Sequence, residues 1–207
     1  MGVWKWRFSS QLWPFSVFGW PDETPELATW YPTSTLVTGY DINTFWVSRM
    51  AMAALWFLDE VPFEVVHNHG LVRDEHGKKM SKSFGNAIDP LELIAEFGAD
   101  ATRFALLREA APGTDVPLAR DWVEGARRFA NKLWNAARFA LQTLDGTTPG
   151  DLPPAEELAL EDRWILSRLS QLQVRVDDAY DGYEWSVACR SLYGFAWHEL
   201  ADWYLEA

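Results

Sequence analysis

The sequence predicts an α/β part followed by an all-α part. Three observations carry this. Ser34 to Thr38 is a β-branched run, and Phe63 to His69 alternates Phe63, Val65, His67 and His69 with Glu64, Val66 and Asn68, so both suit strands. Asn43 to Leu58 lies between them, mostly apolar and long enough for a helix. From Asp121 onward apolar side chains recur at steps of three and four, the period of an amphipathic helix.

Each element has local signals. Gly39 ends the first strand, and Asp59, Glu60 and Pro62 stop the helix that follows. Leu71 to Met80 reads as a hairpin turning at Asp74–Gly77. In IDPLELIAEFG, Asp89 is the expected N-cap, Pro90 sits at N1, Glu92 at N3 completes a capping box, and Gly98 is the stop. Asp100 is expected to cap a further helix to about Glu109. Between Asp121 and Leu144 the apolar face holds Trp122, Ala126, Phe129, Leu133, Ala137, Leu141 and Leu144. Leu158, Ile165, Leu169, Leu172, Val176 and Ala179 repeat that spacing, and Glu184 to Leu205 is a third helix candidate. Asp145 to Glu157, rich in Gly, Pro and Thr, is a linker or exposed interhelical loop.

Composition excludes several classes. The 207 residues are 48% hydrophobic and 23% charged, so the chain is globular rather than disordered. One cysteine cannot form an internal disulfide, so a disulfide-stapled scaffold is excluded, and Cys189 is expected to be a buried structural thiol. No run approaches the roughly 18 apolar residues of a membrane span. Met1 to Arg7 has no apolar core of a signal peptide, so the expected destination is the cytoplasm. The net charge of −12 argues against nonspecific nucleic-acid binding through bulk charge. That charge is uneven, with −3 over residues 1–140 and −9 over residues 141–207. Aromatics make up 15%, including 13 Trp, most of them expected in the core or between helices. Trp46, after the first strand, is the one expected nearest a site.

The segment rich in chemistry is GLVRDEHGKKMSKSFGN, Gly70 to Asn86. Lys78, Lys79 and Lys82 fall within five residues, among Ser81, Ser83 and Gly85. Small hydroxylated residues and glycine let a backbone approach an anion, and each lysine brings a mobile charge with three donors. A helix start just beyond adds partial positive charge. The composition alone fits a solvated basic turn or a phosphate-binding loop. Arg127, Arg128, Lys132 and Arg138 make a second basic face, opposite the apolar stripe of their helix. It fits either a solvated face with ion pairs or contact with a nucleic-acid backbone.

Lys79-Met80-Ser81-Lys82-Ser83 is a verbatim KMSKS and resembles the second signature of the class I aminoacyl-tRNA synthetases. Pro32–Met50, His69–Leu106, Phe8–Pro21 and Phe129–Phe139 resemble the valyl-tRNA synthetases in order and spacing. Isoleucine and leucine relatives share KMSKS. Asp41-Ile42 with Phe45-Trp46-Val47, and Asn131 to Asn135, favour the valine family.

The resemblance implies the C-terminal half of a Rossmann-like catalytic domain over residues 8–120, then a truncated helical anticodon-binding domain over 121–207. It implies ATP, as its magnesium complex, with valine and tRNA(Val) as partners and no tightly bound cofactor or metal. The complete enzyme would be a monomer. Lys82 would contact the triphosphate and the leaving pyrophosphate, with Lys79 in support. Met80, Ser81 and Ser83 would belong to the ATP-binding loop. Gly39 and Asp41 match the family's Gly-x-Asp at a strand end, where the carboxylate accepts from the ATP ribose. His69 would line the adenine pocket. Arg127, Arg128, Lys132 and Arg138 would contact tRNA.

The other signature of the class, HIGH or HMGH, is not in the chain, and His67-Asn68-His69 is not a version of it. The chain is therefore expected to be an internal slice of a longer enzyme, inactive alone. Lys5 stands where the family has aspartate, so Met1–Arg7 receives no role. A competing reading is a non-catalytic module that binds ATP or tRNA, or that pairs with a separate first half. A nucleotidyltransferase with a similar lysine loop is a third, but it leaves the helical half unexplained.

Overall fold

The computed structural model describes residues 8–144, 150 and 153–207. Met1–Arg7 and much of the linker at 145–157 lie outside the described residues. The chain divides into two compact units. One runs through Leu71 and includes Pro112–Thr114, and the other holds Val72–Ala111 and Asp115–Ala207.

In the first unit, helix α1 (Trp13–Ser16) and helix α2 (Pro25–Trp30) precede strand β1 (Thr33–Gly39). Thr24 caps α2, its hydroxyl accepting from the Leu27 N–H at 3.1 Å, and Pro25 takes the N1 position that needs no donor. Strand β2 (Phe63–His69) pairs with β1 in parallel, from Thr33 against Phe63 to Gly39 against His69. A parallel pair needs a crossover, and helix α3 (Ser48–Leu58) provides it. Between β1 and α3 the chain makes a 3-10 turn, Tyr40–Ile42, and a π-helical turn, Asn43–Val47. Asp59 stops α3 in the left-handed conformation, φ 55°, which a short polar side chain tolerates. The core of this unit is Phe15, Ala53 and Ala54, packed by Leu12, Trp20, Leu27, Tyr31 and Leu58. Phe15 meets Trp20 and Tyr31 edge to face at 5.2 and 6.1 Å. Burial, with Glu60 beside it, pushes the Tyr31 hydroxyl up to about 12.

In the second unit, strand β3 (Val72–Arg73) pairs in parallel with strand β4 (Val116–Pro117). The expected hairpin is reduced to one antiparallel bridge, Arg73 with Lys79, across the turn at Asp74–Gly77. Helix α4 (Pro90–Phe97) is capped by Asp89, which accepts from the Leu91 N–H at 2.8 Å. Among the described residues Glu92 returns no bond to the Asp89 N–H, so half the capping box is unformed. Helix α5 (Ala99–Glu109) starts on Gly98, not on a side-chain cap from Asp100. Gly98, at φ 93°, ends one helix and begins the next, which leaves Asp100 inside the first turn.

Helices α6 (Arg120–Thr143), α7 (Leu160–Asp181) and α8 (Trp185–Gly194) follow, and a π-helix, Phe195–Tyr204, continues α8. The core is Leu93, Ala101, Ala105, Leu118, Val123 and Ala126. Phe129 carries it onward, with its ring 5.1 Å from Phe104 and 4.8 Å from Tyr193. The stripe expected on α6 is used only in part. Ala126 and Phe129 are buried, Val123 replaces Trp122 inside, and Leu133, Leu141 and Leu144 are exposed. The expectation that most tryptophans are packed is also corrected. Trp20, Trp185 and Trp197 are packed, whereas Trp13, Trp30, Trp46, Trp56, Trp122, Trp134, Trp164 and Trp203 are exposed, Trp56 at 82%. A helix pattern marks an apolar face but not what covers it.

Leu93 is 1% exposed at the centre of the second core. Leu93→Ala is expected to cost roughly 2–5 kcal/mol, from lost burial plus the cavity. Denaturant unfolding of the chain measures this, and an unshifted midpoint would show that this cluster does not hold the unit.

Candidate functional site

Gly39 is buried at the end of β1, beside His69 at the end of β2. Its backbone is ordinary, φ −69° and ψ 141°, so conformation does not require glycine. A Cβ there would lie 2.7 Å from Asp41 Oδ1 and 3.4 Å from Leu71, so a larger residue would push the Asp41 carboxylate aside. The missing side chain lets the Asp41 carboxylate fold back over the strand end. Asp41 itself is exposed. His69 Nδ1 donates to the Gly70 carbonyl at 2.8 Å, which leaves Nε2 as the acceptor of the neutral ring. These three predicted residues therefore meet in one place. The Trp46 indole N–H donates to the Ser10 carbonyl at 3.4 Å.

The lysine loop is organised by two residues that its motif does not include. Asp74 is buried, 9% exposed. Its Oδ1 accepts from the Lys78 N–H at 2.7 Å and the His76 N–H at 3.1 Å. Its Oδ2 accepts from Asn86 Nδ2 at 2.8 Å. Asn86 Oδ1 in turn accepts from the Ser81 N–H at 2.9 Å, and Nδ2 also reaches the Lys79 carbonyl at 3.3 Å. The two ends of the loop are thus tied together through side chains. The signals available in sequence were the Asp of a D-x-x-G turn and the Asn after Gly85, but each reads as an isolated turn former.

The motif residues alternate around this frame. Lys78 and Lys79 are exposed and form no ion pair among the described residues. Met80 is half-buried and packs on the Leu93 core, so it anchors the loop. Ser81 and Ser83 share a hydrogen bond between hydroxyls at 2.7 Å. Lys82 begins a 3-10 turn, Lys82–Phe84, that closes on Gly85 at φ 69°, a conformation suited to glycine. The N-terminus of α4 is occupied by Asp89, so it offers less attraction to an outside anion than its position in sequence suggests.

The basic face of α6 is differently engaged at each residue. Arg128 pairs with Glu124 one turn back, and Lys132 pairs with Asp202 while lying 4.0 Å over the Trp197 ring. Arg127 donates to the neutral Glu96 carbonyl at 3.2 Å, so its charge is unpaired by that bond. Arg138 is exposed. A second basic group, absent from the sequence reading, gathers Arg168, Arg175 and Arg190 around a cleft of about 440 Å³, where Arg168 holds Glu199 at 2.6 and 2.7 Å. Cys189 is half-buried and its thiol is pushed up by burial. Among the described residues no group of three His, Cys, Asp or Glu is placed to hold a metal, and no helix is long and apolar enough to cross a membrane.

A family model described as tRNA synthetases class I (I, L, M and V) matches residues 1–119. The chain belongs to that family. A second model, the anticodon-binding domain of tRNA ligase, matches residues 162–207. The valine–tRNA ligase of Streptomyces avermitilis is 54% identical over 200 residues, covering 96% of this chain and 23% of the relative. That of Mycobacterium tuberculosis is 54% identical over 211 residues, covering 96% and 24%. The chain thus spans about a quarter of the length of the curated relatives it matches. Among solved structures, the LeuRS of Agrobacterium radiobacter K84, in a ternary complex with tRNA and LeuAMS, superposes with a TM-score of 0.77 at 21% identity over 90% of this chain and 25% of that one. Mycobacterium tuberculosis methionyl-tRNA synthetase, in complex with methionyl-adenylate, reaches 0.70 at 27% identity over 87% and 36%. The class I catalytic fold followed by a helical anticodon-binding part is therefore the architecture of this chain.

The frame also makes a statement about acid. The Asn86 amide, and after it the Lys78 and His76 N–H groups, hold the Asp74 carboxyl below its ordinary 3.8 despite burial. A lowered value means the stabilisation is complete above the ordinary range and is lost as pH falls through the lowered one. Carbon-13 titration of the Asp74 carboxyl is expected to give a midpoint below 3.8 that rises in Asn86→Ala. A wild-type midpoint at or above 3.8 contradicts the frame.

Proposed function

We propose that these residues form the ATP-handling, KMSKS-bearing part of a valine–tRNA ligase. The observation that carries the reading is the tethered lysine loop, with Lys78 and Lys79 exposed, in a chain 54% identical to valine–tRNA ligases. In the complete enzyme the valine carboxylate attacks the α-phosphorus of ATP. The bond to the β-phosphate bridge breaks, leaving valyl-adenylate and pyrophosphate. A ribose hydroxyl of the tRNA(Val) terminus then attacks the valyl carbonyl and releases AMP. The relative solved with methionyl-adenylate supports an adenylate route for this chain.

The first step builds charge on phosphate oxygens, and its catalysis is mainly electrostatic. Lys82 and Lys79 are the proposed cations for the triphosphate and the leaving pyrophosphate. Ser81 and Ser83 shape the loop, and Met80 holds it to the core. Asp41 accepts from the ATP ribose, Gly39 gives it room, and His69 lines the adenine site. Magnesium arrives with ATP as part of the substrate. Arg127, Arg128, Lys132 and Arg138 are the proposed tRNA contacts. Arg127 and Arg138 carry most of that proposal, because a carboxylate already engages each of the other two. The helical part begins near residue 121 and belongs to the anticodon-binding domain. The complete enzyme acts as a cytoplasmic monomer, and the 207 residues alone lack activity.

The test is valine-dependent ATP–pyrophosphate exchange. These residues replace the matching quarter of the Streptomyces avermitilis enzyme. Exchange by this chimera is expected, with none by the 207 residues alone. Lys82→Ala in the chimera is expected to lower the activation rate about a hundredfold, roughly 3 kcal/mol of barrier, with little change in valine KM. A soluble chimera without exchange, or a Lys82→Ala variant that loses valine binding at an unchanged rate, overturns the reading.

A further inference from the structure

The geometry points to Asp74 and Asn86 as positioning residues for ATP, acting through the lysine loop they tether. The inference rests on the reading of the chain as part of a valine–tRNA ligase and extends it to two residues outside the motif. Asp74 is the only acid among residues 70–86 besides its neighbour Glu75. An anion there would be expected to pair with a lysine and spend its charge. Its oxygens are instead spent on two backbone N–H groups and one amide, all neutral. The loop therefore keeps its cations for an outside anion. Asn86 completes the arrangement, because its amide donates to Asp74 through Nδ2 and accepts from the Ser81 N–H through Oδ1. That last bond fixes the backbone immediately before Lys82. The second Asn86 bond holds the carbonyl of Lys79. Both proposed phosphate-binding lysines thus start from backbone that this pair restrains, and a lysine stem of four carbons is effective only if its root is placed.

The polarity of the pair can be reversed. Asp74→Asn sets one amide NH₂ against another, and Asn86→Asp sets two carboxylates together. Making both changes restores the links within the pair and to Ser81: Asn at 74 still accepts the two turn N–H groups and donates to Asp at 86, which still accepts from Ser81, and only the longer 3.3 Å bond to the Lys79 carbonyl is lost.

The experiment measures ATP–pyrophosphate exchange in the same chimera. Each single change is expected to raise the ATP KM and lower the rate, roughly tenfold or more in rate over ATP KM, with valine KM unmoved. The double exchange is expected to recover most of the loss. A merely structural defect reduces the number of active molecules and leaves ATP KM unmoved. Asn86→Ala removes the link without a repulsive pair and gives the same reading where a single change fails to fold. Unaltered ATP KM in the singles and in Asn86→Ala overturns the inference, as does a double exchange no better than its parents. A wild-type chimera without exchange instead brings down the functional reading beneath it.

Discussion

One buried carboxylate organises the chemistry of this chain. A loop with three lysines and no restraint would be a floppy cation, with each side chain sampling many positions. A loop with a carboxylate paired to those lysines would be ordered and electrically spent. Asp74 avoids both outcomes by accepting from backbone and from Asn86. Order is obtained from neutral donors, and the charge of Lys78 and Lys79 stays outward. Met80 adds the third restraint, apolar burial against the core of its unit. The spacing of KMSKS then has a physical reading: an outward cation, an apolar anchor, a tethered serine, a second lysine, and a serine that closes back on the first.

The strand-end site follows a different constraint. Gly39 leaves the volume of a side chain to the Asp41 carboxylate, which a larger residue would displace. The parallel register sets His69 beside Gly39, and its ring is oriented by its own next carbonyl. These residues come together because α3 carries the chain back to the Thr33 end, so that β2 runs parallel to β1 and finishes beside Gly39. The site is a product of topology, not of sequence neighbourhood.

Much of the fold was legible in the residues. β2 begins and ends where the alternation does, and β1 and α6 fall within about one residue of their signals. Gly39 and Asp41 stand out in the sequence through the Gly-x-Asp resemblance and His69 through its own strand, but the parallel register is what sets them side by side. What was not legible depends on contacts distant in sequence. Asp74 and Asn86 each carry a turn signature, and nothing local says that they bond across twelve residues. Val123 rather than Trp122 is inside, in one cluster with Leu93 and Ala101, and which of two adjacent apolar residues turns inward depends on those distant partners. The basic face of α6 does not reveal in sequence that Lys132 meets Asp202 and Trp197, seventy and sixty-five residues on. Asp100 carries a cap signature but lies inside the first turn, because Gly98 serves two helices at once.

Asn86 holds the loop backbone just ahead of Lys82. Amide hydrogen exchange at Ser81 reports that bond alone. The Ser81 N–H is expected to be protected, and to lose that protection in Asn86→Ala while the amides of α4 keep theirs. A Ser81 amide that exchanges equally fast in both proteins would contradict it.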